Sequence, residues 1–234
     1  GKLLAGYERF HAFDRRTLTL LEPLRTLRIL HHAAWIGRRW EDPAFPRAFP
    51  DYGTDRYWSQ HILTLREQLA ALQGRIEKAV MAELISDFYI CSLSSRSVIY
   101  KGMFLAEQVT AFFPYLLDPR FISSFAIYHQ RYSTNTMPTW KLAQPFRVLA
   151  HNGEINTIRG NQNWMTCHED RMASEVFGDA VEDLKPVVAK GSSDSAALDA
   201  VFELLVHGGR ELPMVKTMMI PEAVDVSGDS ELAK

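Results

Sequence analysis

The chain has only two cysteines in 234 residues, Cys91 and Cys167, which excludes a disulfide-stapled secreted scaffold and leaves cytoplasmic location as the default expectation. It has no apolar run near the roughly 20 residues of a membrane helix. Its opening, "GKLLAGYERF", turns polar too early for the apolar region of a signal peptide. It lacks an excess of either charge: 26 Lys and Arg face 28 Asp and Glu, a net charge of −2. Neither a nucleic-acid partner nor a membrane surface is expected from that balance. Glycine-rich phosphate loops, zinc-type Cys/His spacing and a GxSxG elbow are also missing, which removes the commonest motif-bearing enzyme classes. Internal repeats and low-complexity segments are absent as well.

What remains is an ordinary globular composition, 47% hydrophobic and 11% aromatic, whose two parts read differently. Residues 1–73 read as helical. Leu20, Leu24, Leu27 and Ala34 share a stripe at helical spacing, with Arg25 and Arg28 off it. "EDPAFPRAFPDYGTD" breaks the helix with prolines. Thr54 and Asp55 then offer an N-cap for a helix carrying Trp58, Ile62, Leu65, Leu69 and Leu72, which Gly74 is expected to close. From residue 74 the pattern mixes types. "IEKAVMAEL" reads as a short helix. "DFYICSLS", "SVIYKG", "FISSFAIYHQRY" and "FRVLAHNG" read as strands. "FLAEQVTAFF" and "SDSAALDAVFELLVHGG" read as helices, the second with a glycine stop. This order predicts an α+β fold.

The chemistry lies in the second part. In "LAHNGEINT" the Asn-Gly pair reads either as a plain tight turn, since both residues tolerate positive φ, or as an oxyanion hole. In the second reading the Asn152 amide and the Gly153 backbone N–H donate to one carbonyl oxygen, each such donor being worth about 2.7–4 kcal/mol of barrier. In "YHQRYSTNT", Arg131 reads as a surface ion pair or as a two-pronged clamp for a carboxylate, with Thr134 and Asn135 as short polar neighbours. Asp194 in "GSSDSAALD" reads as a helix cap or as an acceptor for an ammonium group. Clamp, acceptor and hole together describe a site for a free amino acid with an amide side chain.

Residues 74–223 resemble the glutaminase domain of the bacterial glutamate synthase large subunit, a class II glutamine amidotransferase. "DFYICSLSSRSVIYKGMFLAEQ", "YHQRYSTNT", "LAQPFRVLAHNGEINTIRGNQNWM" and "SSDSAALDAVFELL" carry the resemblance. It implies an αββα sandwich of the N-terminal-nucleophile type, here expected to be incomplete over 74–234 and preceded by the helical segment. It implies glutamine hydrolysis supplying ammonia for glutamate synthesis from 2-oxoglutarate. Asn152 and Gly153 would form the oxyanion hole, Arg131 would bind the substrate carboxylate and Asp194 its amino group, with Thr134 and Asn135 lining the pocket. FMN, an iron–sulfur cluster and NADPH would serve the full enzyme but no cofactor is expected on this segment. The partners implied are glutamine or glutamate, the synthase domain and the small subunit.

The nucleophile of that family is an N-terminal cysteine opening a strand like "CGVGF", and no such stretch occurs here. Cys91 sits mid-strand as a small hydrophobe, and Cys167 sits in a helix without an α-amine to act as base. Residues 1–73 resemble instead the C-terminal helices of bacterial stress-response kinases with the aminoglycoside-phosphotransferase-like fold, through "LLAGYERFHAFDRRTLTLLEPLRTLRILHHAAWIGRRWEDPAFPRAFP" and "RYWSQHILTLREQLAALQ". The kinase catalytic residues are absent, which sets kinase activity aside. The expectation is therefore a composite with a seam near Gln73 and Gly74, inactive as a glutaminase and carrying exposed sheet edges. A glutamine-binding regulatory module and a chimera of two gene fragments stay open as alternatives.

Overall fold

The computed structural model describes residues 2–14, 17, 20–85, 87–94, 97–130, 139–173 and 178–220. The chain divides into two compact units, Gly1–Leu72 and Gln73–Lys234.

In the first unit, α1 spans Lys2–Tyr7, α2 Leu21–Arg38 and α3 Ala44–Ala48, and α4 begins at Asp55. Thr54 caps α4 as the sequence predicts: its Oγ1 accepts the Tyr57 backbone N–H at 3.2 Å. The proline-rich loop is not structureless. Its aromatics pack on α2, with the Trp35 ring 4.9 Å from Phe45 and 6.1 Å from Phe49, and the Tyr52 hydroxyl donates to the Ala33 carbonyl at 3.2 Å. Burial on α2 therefore falls on Ala33 and Ile36. The stripe of Leu20, Leu24 and Leu27 stays exposed. The aromatic loop covers the face that carries Ala33 and Ile36 and not the leucine face.

Helix α4 runs from Asp55 to Ala82 without a break. The expected stop at Gly74 and the separate short helix after it do not occur. Gly74 is required for another reason: a Cβ there would lie 2.4 Å from the Asp183 carbonyl oxygen. Its missing side chain admits a neighbouring backbone rather than a turn. Arg75 pairs with Asp183 at 2.5 Å, and Lys78 donates to the Glu182 carbonyl.

The second unit continues with α5 (Ala106–Phe112), α6 (Ile158–Glu169), α7 (Asp194–His207) and α8 (Leu212–Met219). Helix α7 has the start and stop expected of it. The Ser193 hydroxyl accepts the Ala196 N–H at 3.2 Å, and Gly208 follows the last turn. Ser195, Ala197, Leu198, Asp199 and Phe202 of α7 are buried, together with Phe146, Val181 and Val215, so α7 is the central element of this unit's core.

No strand is present among the described residues. The segments expected as strands over 87–94, 97–102, 121–130 and 146–153 are irregular backbone with turns and bends and no ladder, so the αββα sandwich is not seen among the described residues. Period-2 patterning produces a strand only when a partner closes its hydrogen bonds. Here the Ile99 N–H goes to the Ser92 hydroxyl at 3.2 Å rather than to a carbonyl. Along 121–130 every residue is exposed, Ile122 at 88% and Tyr128 at 82%.

Candidate functional site

Asn152 and Gly153 sit in the loop between Phe146 and α6, and the loop is shaped by its own side chains. Gln144 clamps His151 from both sides: its Oε1 accepts the His151 N–H at 2.6 Å, and its Nε2 donates to the His151 carbonyl. This mimics a ladder pair with one side chain and fixes the residue before Asn152. The Phe146 N–H donates to Leu149 O at 2.8 Å and closes the turn below.

Two anchors then tie the loop to the start of α7. His151 Nδ1 lies 2.9 Å from the Ser195 hydroxyl. Two residues beyond Gly153, the Ile155 N–H donates to Asp194 Oδ2 at 2.8 Å. Asn152 and Gly153 lie between these anchors and are exposed. The turn is therefore held at both ends while its donors stay accessible, which is what an oxyanion hole requires: donors fixed before the charge develops.

Glycine at 153 does not serve a left-handed backbone, contrary to the plain-turn reading. The left-handed residue of this loop is Thr157, at φ 63°. A Cβ on Gly153 would stand 3.0 Å from His151 Nε2 and 3.2 Å from its Cε1. The imidazole thus wedges between Ser195 and the Gly153 backbone, and the glycine makes room for it. A β-branched residue with positive φ, as at Thr157, stores about 1–3 kcal/mol of strain, and it lies immediately before α6.

Asp194 is half-buried at the first position of α7. Its Oδ1 accepts the Ser195 N–H at 2.6 Å and its Oδ2 the Ile155 N–H. An ionised carboxylate offers about four acceptor sites, so an ammonium group can still be received there. Arg131, Thr134 and Asn135 lie outside the described residues.

Below the loop is a buried charge cluster that sequence reading missed. The Arg147 side chain, 11% exposed, pairs with Glu77 at 2.5 Å and Glu203 at 3.0 Å. It donates through Nε to Ile90 O at 2.8 Å and stacks 4.4 Å from the Tyr89 ring. With its amide turned oxygen-first, Gln73 accepts from Nη1 at 2.9 Å and from Nη2 at 3.2 Å. Asp199 of α7 accepts the backbone N–H of Val148 at 3.0 Å and of Arg147 at 3.3 Å. Burial pushes the Asp199 carboxyl up to about 6, aided by the nearby Glu203 charge and opposed by the Val148 N–H. Burial likewise lowers Lys101 to about 8. Its ammonium lies 4.6 Å from both the Tyr89 and Phe146 rings and donates to Lys141 O at 3.0 Å.

Neither cysteine is placed as an attacker. Cys91 is half-buried and its thiol is pushed up by burial, against the opposing charges of Lys101 and Arg147. Cys167 is exposed on α6. Among the described residues no group of three or more His, Cys, Asp or Glu side chains is arranged to hold a metal ion, and no helix is long and apolar enough to cross a membrane.

The family model for class-II glutamine amidotransferases matches residues 42–232. The chain is 65% identical over 159 residues to the glutamate synthase [NADPH] large chain of Azospirillum brasilense, covering 68% of this chain and 10% of that protein. It is 49% identical over 160 residues to the Bacillus subtilis glutamate synthase [NADPH] large chain, covering 68% and 10%. Against glutamate synthase [NADH] of Saccharomyces cerevisiae it is 42% identical over 191 residues, 81% of this chain and 8% of that one. The chain thus spans about a tenth of the length of these relatives, and the family match opens inside the helical segment read as kinase-like.

Proposed function

The chain belongs to the class-II glutamine amidotransferases, and we propose that it forms the glutamine-holding part of a glutamate synthase glutaminase domain. The observation that carries this reading is the Asn152–Gly153 turn fixed to α7 through His151–Ser195 and Ile155–Asp194. Asn152 and Gly153 donate to the substrate amide oxygen as it gains charge. Asp194 takes the α-ammonium group, Arg131 takes the α-carboxylate in a bidentate pairing, and Thr134 and Asn135 line the remaining wall. The ammonia released serves the synthesis of glutamate from 2-oxoglutarate, with the synthase domain and small subunit as partners. The FMN, iron–sulfur and NADPH chemistry belongs to those parts.

The nucleophile is the unassigned role. Attack on an amide needs a thiolate beside a base and within reach of the hole. Cys91 is a half-buried thiol held neutral, and Cys167 lies on the exposed side of α6. On its own this chain therefore binds glutamine and does not hydrolyse it, whether as part of a larger enzyme or as a sensor signalling through residues 1–73. The kinase-like reading of residues 1–73 rests on their sequence; the family match already covers them from residue 42, and α4 runs unbroken from Asp55 to Ala82. Calorimetric titration of the purified chain with glutamine tests the reading. Saturable binding lost in both Asn152→Ala and Arg131→Ala supports it, and a flat titration at millimolar glutamine refutes it. Ammonia release above background that vanishes in Cys91→Ser or Cys167→Ser refutes the assignment of a binding role alone.

A further inference from the structure

The first unit holds a cleft unrelated to the glutamine site. On α2, Arg25, Arg28, Ile29 and His32 follow at i, i+3, i+4 and i+7 and so share one face. On α4, Tyr57 and His61 are i and i+4. The two faces border an open cleft of about 410 Å³. A second cleft of about 400 Å³ adjoins it, lined by Arg28, His31, His32, Trp35 and Phe49. Arg28 and His32 line both, and neither lining contains a carboxylate.

We propose that these adjoining clefts bind a small phosphomonoester bearing a planar ring, the phosphate taken by Arg28, His32, His61 and Tyr57, the ring lying in the hollow lined by His31, Trp35 and Phe49. The walls are prearranged rather than loose. Tyr57 and His61 stack with ring centres 5.7 Å apart and 14° between planes. His32 stacks on Trp35 at 5.9 Å and meets Phe49 edge-on. Beneath them Ala33 and Ile36 are buried, and Tyr52 ties the loop to Ala33 O. Burial lowers the basicity of His61, and the charge of neighbouring His32 lowers it further. An anion beside His61 would favour its charged form against both effects.

The donor set selects phosphate over other ligands. A cation is repelled by the guanidinium groups, and a single carboxylate is satisfied by one of them. Three phosphate oxygens accept from several directions at once, which suits a guanidinium, two imidazoles and a phenol lining one hollow from two helices. The adjoining hollow, which shares Arg28 and His32 with this one, offers a ring aromatic side chains to lie against and makes the bare anion the weaker ligand.

The probe is adenosine monophosphate, with inorganic phosphate and adenosine as its two halves. Imidazole nitrogen spectra of the full chain follow His32 and His61 during titration, and calorimetry gives the affinity. Expected are saturable binding of the monophosphate, weaker competition by phosphate and none by adenosine. Arg28→Glu and His61→Gln should each lower affinity about tenfold or more at unchanged melting temperature. Arg28→Gln serves if Arg28→Glu fails to fold. Absence of saturable monophosphate binding at millimolar concentration overturns the proposal. So does undiminished binding in the Arg28 variants, or preference for a single-stranded oligonucleotide over the monophosphate.

Discussion

Replacing Arg147 with methionine should destabilise the second unit by about 4 kcal/mol. The side chain is 11% exposed, and it neutralises Glu77 and Glu203, which are themselves only 30% and 15% exposed. Removing one partner of a buried ion pair costs about 3–5 kcal/mol because the other charge is left uncompensated. Glu203 is the more affected. Burial pushes its carboxyl up, and only His207 and Arg147 hold it below the usual range. The Ile90 carbonyl also loses its donor, at about 1 kcal/mol. Methionine keeps the stem volume, so a cavity contributes little to the loss. Urea unfolding followed by far-UV circular dichroism measures the change. Adding Glu77→Gln and Glu203→Gln removes the stranded charges and should restore at least half of the lost stability. A single variant within about 1 kcal/mol of the parent, or a triple variant worse than the single, refutes the account of Arg147 as a charge-neutralising hub.

Ser195→Ala and Gln144→Ala should each weaken glutamine binding about five- to thirtyfold, the worth of about 1–2 kcal/mol of positioning hydrogen bond. Ser195→Thr keeps the hydroxyl and should bind nearly as the parent, with amide exchange at Gly153 to Ile155 faster only in the alanine variants. Asp194→Asn retains an oxygen for the Ile155 N–H but drops the charge, so it should lose glutamine while still binding glutaramate, which lacks the ammonium group; equal loss of both ligands sinks the ammonium role. Asp199 has a folded-state value of about 6 against an ordinary 3.8. The folded state therefore binds more protons between those values, and stability should fall as pH rises from about 4 to 6, by on the order of 3 kcal/mol at most. Glu203 acts in the opposite sense, so the measurement is the difference between parent and Asp199→Asn across that window; no difference refutes the assignment. Gly74→Ala should destabilise despite alanine's helix preference, since its Cβ meets the Asp183 carbonyl at 2.4 Å, whereas Gly160→Ala on α6, with nothing within 4 Å, should be neutral or stabilise by up to about 1 kcal/mol. Thermal unfolding of the two variants decides it.

The features that the sequence made legible are those decided within a turn or two of chain. Thr54 caps α4 through a contact with Tyr57 three residues on, and its type announces it; at α7 the cap is Ser193, one residue before the Asp194 that the sequence offered. Gly74 shows the limit. In sequence it reads as a stop, but its cause is a carbonyl more than a hundred residues away, and no local pattern carries that. The alternating segments fail for the same reason at larger scale, because alternation states only a willingness to pair and the Ile99 N–H has taken a serine hydroxyl instead. In the sequence, Asn152, Gly153 and Asp194 stand out because glycine and short polar residues punctuate an apolar frame. His151, Ser195 and Gln144 stood in the same motifs without a role, since the His151–Ser195 pairing across 44 residues is set by where α7 begins and the Gln144–His151 clamp by the path of the loop. A histidine directly before an Asn-Gly pair and a serine directly after an aspartate were the available signals. Donors that must hold still need neighbours to hold them, and the residues flanking a predicted hole are the first place to look for those neighbours.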